Sequence, residues 1–98
     1  MLFVVQFRDD PAQRHLRPQL LAAHLEFLRV NAAKVRVAGS LRPEADERAI
    51  GGLWIVEVEK YEDVKALYLE DPFWQAGLRA SVEVYRYTKA FPEIEQKV

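Results

Sequence analysis

Strand-like and helix-like segments follow one another as strand, helix, strand, strand, helix, strand, and in a chain of 98 residues that order leaves few folds open. Residues 2–7 are an apolar run broken only by Gln6, and Arg8-Asp9-Asp10-Pro11 ends it with turn chemistry. The spacing then predicts a helix over 18–33, with Leu20, Leu21, His24, Leu25, Phe27, Leu28 and Asn31 on one face and Gln19, Glu26 and Arg29 opposite. Pro18 suits the first turn, where its missing N–H costs nothing, so residues 12–16 read as a separate turn or a short lead-in helix. Residues 35–41 alternate as a strand, 42–50 carry five charges and a proline and read as a solvated hairpin loop, and 51–59 return as the second half of that hairpin. Residues 61–70 read as a helix with Val64, Leu67, Tyr68 and Asp71 in one stripe and Lys60 as a poor cap. Pro72 is expected to stop it, because the residue before a proline is pushed out of the helical region. Residues 81–88 form the last strand.

This is the βαββαβ order of the ferredoxin-like fold, an α+β arrangement with one domain over 1–90 and a polar tail over 91–98. Right-handed crossovers put both helices on one face of a four-stranded antiparallel sheet. The first and third strands are apolar on both faces and belong in the centre, whereas the second (Arg36, Ser40) and fourth (Glu83, Arg86) are mixed and belong at the edges. The sheet face away from the helices is then apolar and uncovered, and pairing with a second copy of the chain is the simplest way to cover it.

Composition narrows the function. A net charge of −1 offers no basic face, so nucleic acid is not an expected partner. No cysteine is present, which leaves neither disulfide nor thiolate metal site and fits a reducing cytoplasm. The apolar start is too short for a signal or a membrane span. Two histidines and scattered acids make no metal-ligand spacing, and neither a glycine-rich phosphate loop nor a nucleophile elbow is present, so no metal or cofactor is expected.

What remains is His24, an imidazole in the middle of an apolar stripe. Read as structure, it is a core histidine whose N–H finds a backbone carbonyl. Read as function, it is a pocket-lining general acid/base. Asp71 is either an ordinary Asp-Pro turn or a carboxylate placed at the unfavourable negative end of a helix, where an imidazole relieves it. The two helices share a sheet face, so the pair is expected within hydrogen-bond reach or joined by one water, where the carboxylate would orient the imidazole and balance its charge. A pair placed for proton transfer is expected to be removable at little cost in stability; a buried structural pair is not. Arg17 can bind a substrate carboxylate or be a plain surface arginine. Gly39 permits close backbone approach near a strand end. Asp9-Asp10 reads as a solvated turn that could rim a pocket, His15 as exposed, and Trp54 and Trp74 as packing residues.

Several of these residues recur together. Arg17 stands seven residues ahead of His24-Leu25, Leu28 follows, Ala38-Gly39 ends the second strand, and Asp71-Pro72-Phe73 runs into Ala76-Gly77-Leu78. In this pattern, which spans nearly the whole chain, the protein resembles the YCII-related (YciI-like) family of the dimeric α/β-barrel superfamily. The resemblance implies a homodimer and an enzyme with a His–Asp centre, here His24 and Asp71. One branch of that family removes chloride from a chlorinated hydroxyhydroquinone. The chain departs from the family at Ser40, where Ala-Gly-Pro is common, and at Gly51-Gly52, where Gly-Ser is usual. The expectation is a cofactor-independent acid/base protein acting on a small organic substrate, a hydroxylated or chlorinated aromatic, with Arg17, Gly39 and Ser40 holding polar groups and Phe73 walling the pocket. Two rivals stand beside it: a non-catalytic dimeric ligand-binding or assembly module, and a cofactorless oxygenase.

Overall fold

The computed structural model describes residues 1–98. Its elements are β1 (Leu2–Asp9), a 3-10 turn (Pro11–Gln13), α1 (Leu16–Val30), β2 (Val35–Leu41), β3 (Gly51–Glu57), α2 (Tyr61–Tyr68), α3 (Pro72–Gln75) and β4 (Arg79–Tyr87). The four strands pair antiparallel in the order β2-β3-β1-β4, so the two strands that are apolar on both faces are indeed central. This is the ferredoxin-like α+β topology, with one short helix more than the sequence pattern predicts.

Parity along β1 sets the core. Phe3, Val5 and Phe7 point toward the helices and are buried, and β3 meets them with Val56 and Trp54. Phe7 packs edge-on against Trp54 with ring centroids 4.8 Å apart, and α2 closes this cluster with Val64, Leu67 and Tyr68. Val4, Leu53 and Ile55, on the opposite parity, are half-buried, and Tyr85 and Tyr87 beside them are exposed. No helix is long and apolar enough to cross a membrane.

Two helices differ from the sequence-based reading. In α1 the only buried residue is His24, while Leu21 and Leu25 are 43% and 49% exposed. The predicted stripe is real, but much of it faces outward.

The second difference concerns Asp71. It does not end α2, which stops at Tyr68; it caps the start of α3. Its backbone is extended, and its side chain accepts a hydrogen bond from the Phe73 N–H at 3.2 Å. Pro72 takes the first helical position, and Gly77, at φ 86°, ends the helix with Gly77 N–H to Trp74 O and Leu78 N–H to Phe73 O. Phe73 and Leu78, joined by that last bond, are both completely buried. Asp-Pro-Phe-Trp-Gln-Ala-Gly-Leu is therefore one fully capped turn of helix. Its carboxylate sits at the favourable, positive end of the peptide dipoles, the reverse of the expected placement.

Candidate functional site

The capped turn brings three side chains to one place. Asp71 begins it, Phe73 lies within it, and Arg79 follows as the first residue of β4. α1 packs against α3 and delivers His24. The imidazole Nδ1 lies 2.7 Å from Asp71 Oδ1, with His24 7% exposed and Asp71 fully buried. An ionised carboxylate only accepts, so Nδ1–H donates and Nε2 is left as the uncommitted nitrogen. The Phe73 ring stacks on the imidazole at 3.9 Å and 12°, which fixes the imidazole's plane as the carboxylate fixes its rotation.

A second ionic group stands behind this pair. Asp9 Oδ2 accepts from Arg17 Nε (3.0 Å) and Nη2 (2.7 Å), and Asp9 Oδ1 accepts from Arg79 Nη1 at 2.9 Å. Arg17 Nη2 also reaches the Gly51 carbonyl at 3.3 Å. The Arg79 side chain is 2% exposed, and its guanidinium lies over Phe7 at 4.5 Å and Phe73 at 5.0 Å. Burial pulls the Arg79 pKa below its ordinary value, while its hydrogen bond to Asp9 and the Asp9 and Asp71 charges act against that. Arg79 Nη2 stands 3.9 Å from Asp71 Oδ2, an electrostatic contact too long for a hydrogen bond. Neither Asp71 Oδ2 nor Arg79 Nε has a hydrogen-bond partner in the protein.

Beside the pair opens a cavity of about 250 Å³, bordered by His24, Arg17 and Arg79, by Leu21, Leu25 and Leu28 of α1, and by Ala38 to Ser40 and Gly51-Gly52 of the β2–β3 hairpin. A larger recess, about 500 Å³, lies elsewhere, between Leu2, Ile55 and Tyr87 of the open sheet face and the tail residues 95–98. It borders neither His24 nor Asp71, so the smaller cavity is the candidate site. No three His, Cys, Asp or Glu side chains cluster as a metal site needs.

Of the residues named from sequence, His24, Arg17, Gly39 and Ser40 border this cavity. Asp71 and Phe73 do not: Phe73 backs the imidazole and forms no wall of the cavity. Gly39 also differs from expectation, since a Cβ there would meet nothing within 4 Å. The close approaches are on the neighbouring strand. A Cβ on Gly51 would collide with the Phe7 carbonyl, and one on Gly52 would come within 3.2 Å of Arg79 Nη2 and of Gly39 O. Sequence reasoning missed Arg79 and took Asp9 for a solvated turn. A signal for Asp9 was present, because it continues the odd-numbered, core-facing parity of Phe3, Val5 and Phe7.

Fold and site together define a ferredoxin-like α+β domain with a buried imidazole–carboxylate pair beside an arginine-bordered cavity. Within that class the chain belongs to the YCII-related domain family, whose model matches residues 1–88. Among solved structures it is similar to the 5-chloro-2-hydroxyhydroquinone dehydrochlorinase TftG from Burkholderia phenoliruptrix in complex with 2,5-dihydroxybenzoquinone. The two are 33% identical, with 90% of this chain and 94% of that one covered and a TM-score of 0.80. A candidate antibiotic biosynthesis monooxygenase from Bacteroides thetaiotaomicron is 14% identical, covers 99% and 95%, and has a TM-score of 0.58. SnoaB, a cofactor-independent oxygenase from Streptomyces nogalater, is 13% identical, covers 94% and 96%, and has a TM-score of 0.54. The last two likenesses are of fold alone. Comparison with curated proteins gives no match.

Proposed function

We propose that this chain is a cofactor-independent enzyme that moves protons on a small hydroxylated, and in one form chlorinated, aromatic substrate. The observation that carries the reading is the 2.7 Å contact between His24 Nδ1 and Asp71 Oδ1, with His24 itself bordering a cavity of about 250 Å³. His24 Nε2 is the acid/base. When it takes a proton, the resulting imidazolium is held by the Asp71 carboxylate, which also keeps the ring in one tautomer. Arg17, Gly39 and Ser40 hold the polar groups of the substrate. Net loss of HCl from such a ring takes three proton movements: one hydroxyl loses its proton, the chlorine-bearing carbon gains one as the ring passes to its keto form, and a second hydroxyl loses its proton as chloride leaves with the electrons of its bond. An imidazole that both takes and returns a proton serves these steps. The likeness to TftG supports this choice of reaction over others open to an imidazole.

The test is chloride release from 5-chloro-2-hydroxyhydroquinone, followed with a chloride electrode for wild type, His24→Asn and Asp71→Asn. Wild type should turn over, and His24→Asn should lose about 100-fold or more in kcat. Equal rates for wild type and His24→Asn would refute the assignment.

The working form we propose is a homodimer joined through the open face of the sheet. A folded monomer of this mass exposes about 5,800 Å². This chain exposes 6731 Å². The excess of about 930 Å² is somewhat more than the roughly 800 Å² that each partner contributes to a standard interface. Sedimentation at micromolar concentration should give twice the chain mass; a single monomeric species would overturn the dimer.

A further inference from the structure

We infer that the cavity selects a small organic oxyanion carrying one negative charge, and that Arg42 is the residue that reads the charge. This deepens the proposal above, since it rests on the same cavity being the substrate site. Three guanidiniums border the cavity, from Arg17, Arg42 and Arg79, and no carboxylate does. The two nearby carboxylates are already engaged. Asp9 spends both oxygens on Arg17 and Arg79, and Asp71 gives Oδ1 to His24. With His24 neutral, the group therefore holds one positive charge more than it holds negative ones.

The uncompensated cation is Arg42. Its Nε donates to the Glu47 backbone carbonyl at 2.8 Å and its Nη1 donates to Ser40 Oγ, both neutral acceptors, and its Nη2 has no protein partner. The loop that carries it also holds Glu44, Asp46 and Glu47, but Asp46 is turned to Arg48 and none of the three borders the cavity. Arg42 is thus oriented without being neutralised, the condition under which a guanidinium recognises a ligand oxyanion. A second observation points the same way: Arg79, almost wholly buried, keeps a buried Nε without a partner at the same site. Leu21, Leu25 and Leu28 border the cavity as well, so the body of the ligand is apolar while one end is charged. A carboxylate on a ring and an ionised hydroxyl on an acidic quinone share this chemistry.

Two matched pairs of probes separate charge from shape and one source from the other. Benzoate is compared with benzamide, and 2-hydroxy-1,4-benzoquinone, a monoanion at neutral pH, with uncharged 2-methoxy-1,4-benzoquinone, each titrated calorimetrically into the full chain. At least one anion should bind about tenfold or more tightly than its neutral partner, and which pair responds identifies the source. Arg42→Gln should weaken that anion about tenfold and leave the neutral probe unchanged. Arg48→Gln, the same change of charge on the same loop but away from the cavity, should leave both unchanged. Equal binding of anion and neutral probe, an anion affinity indifferent to Arg42→Gln, or no anion binding at all would each overturn the inference. Binding needs no turnover. Charge-selective binding without chloride release would therefore sink the proposed reaction and leave this inference standing, and turnover without charge selectivity would do the reverse.

Discussion

Replacing Asp71 tests the geometry most directly, because one carboxylate oxygen does two things. Oδ1 accepts the Phe73 N–H that starts α3 and the His24 Nδ1–H. Asp71→Ala removes the cap, worth about 1 kcal/mol, and leaves a buried imidazole N–H unpaired, worth about 2 kcal/mol. Together these approach 3 kcal/mol, and a domain of this size should then melt about 12–24 °C lower. Asp71→Asn is the informative partner. Its side-chain oxygen still caps α3, for Asn caps as well as Asp, and still accepts from His24. What it loses is charge. The bond to the imidazole becomes a neutral one, and an amide NH2 or its alternative orientation must face Arg79 Nη2 across the 3.9 Å gap. That costs about 1 kcal/mol and about 4–8 °C. The expected order of thermal melts, followed by circular dichroism, is wild type, Asp71→Asn, Asp71→Ala. An Asp71→Ala variant melting within about 3 °C of wild type would refute the two-bond account. Asp71 is completely buried, so a cost of this size is expected whether or not the pair serves proton transfer, against the sequence-based expectation that a catalytic pair is removable cheaply. Stability alone cannot separate catalyst from structural pair here; the isosteric Asp71→Asn, scored for turnover, does.

Asp9→Ala should cost about 3 kcal/mol in urea unfolding, because Arg17 loses its carboxylate and Arg79 is left only that of Asp71, which His24 already engages; a loss below about 1 kcal/mol would show that one carboxylate serves both. Gly51→Ala should destabilise by about 3 kcal/mol, since its Cβ meets the Phe7 carbonyl and forces β1 and β3 apart. Gly39→Ala, with open space around its Cβ, should stay within about 0.5 kcal/mol of wild type, and comparable losses in the two variants would mean the close approach has been misassigned.

Much of the fold was legible because each element advertises its own period. Phe3, Val5 and Phe7 declare one face of β1, and apolar character on both faces separates the central strands from the mixed edges. The Asp71-Pro72 step was misread because the same two residues serve opposite purposes. A residue before proline is extended, and an extended residue both ends a helix and caps the next one. Gly77, at the right distance for a C-terminal cap, carried the information that decides between them. The exposure of Leu21 and Leu25 was not legible at all, since a helical stripe records which residues share a face and not how much of that face a neighbour covers.

His24 and Asp71 could be found because each is polar where its surroundings are not. Arg79 could not, for arginine at the start of a strand is ordinary until its partner is known, and its partner lies 70 residues away. The register of β1 against β4 supplies it by setting Asp9 opposite Arg79. That pairing bears on the dyad. Arg79 Nη2 already stands 3.9 Å from Asp71 Oδ2, and a guanidinium without another anion would close that distance into a direct ion pair. Asp71 would then have two partners, and its hold on the imidazole would weaken as its charge was shared. By taking Arg79 Nη1 at 2.9 Å, Asp9 keeps the Asp71 carboxylate committed to His24. The residue that most resembled a solvated turn is thus the one on which the separation of the two ionic groups depends.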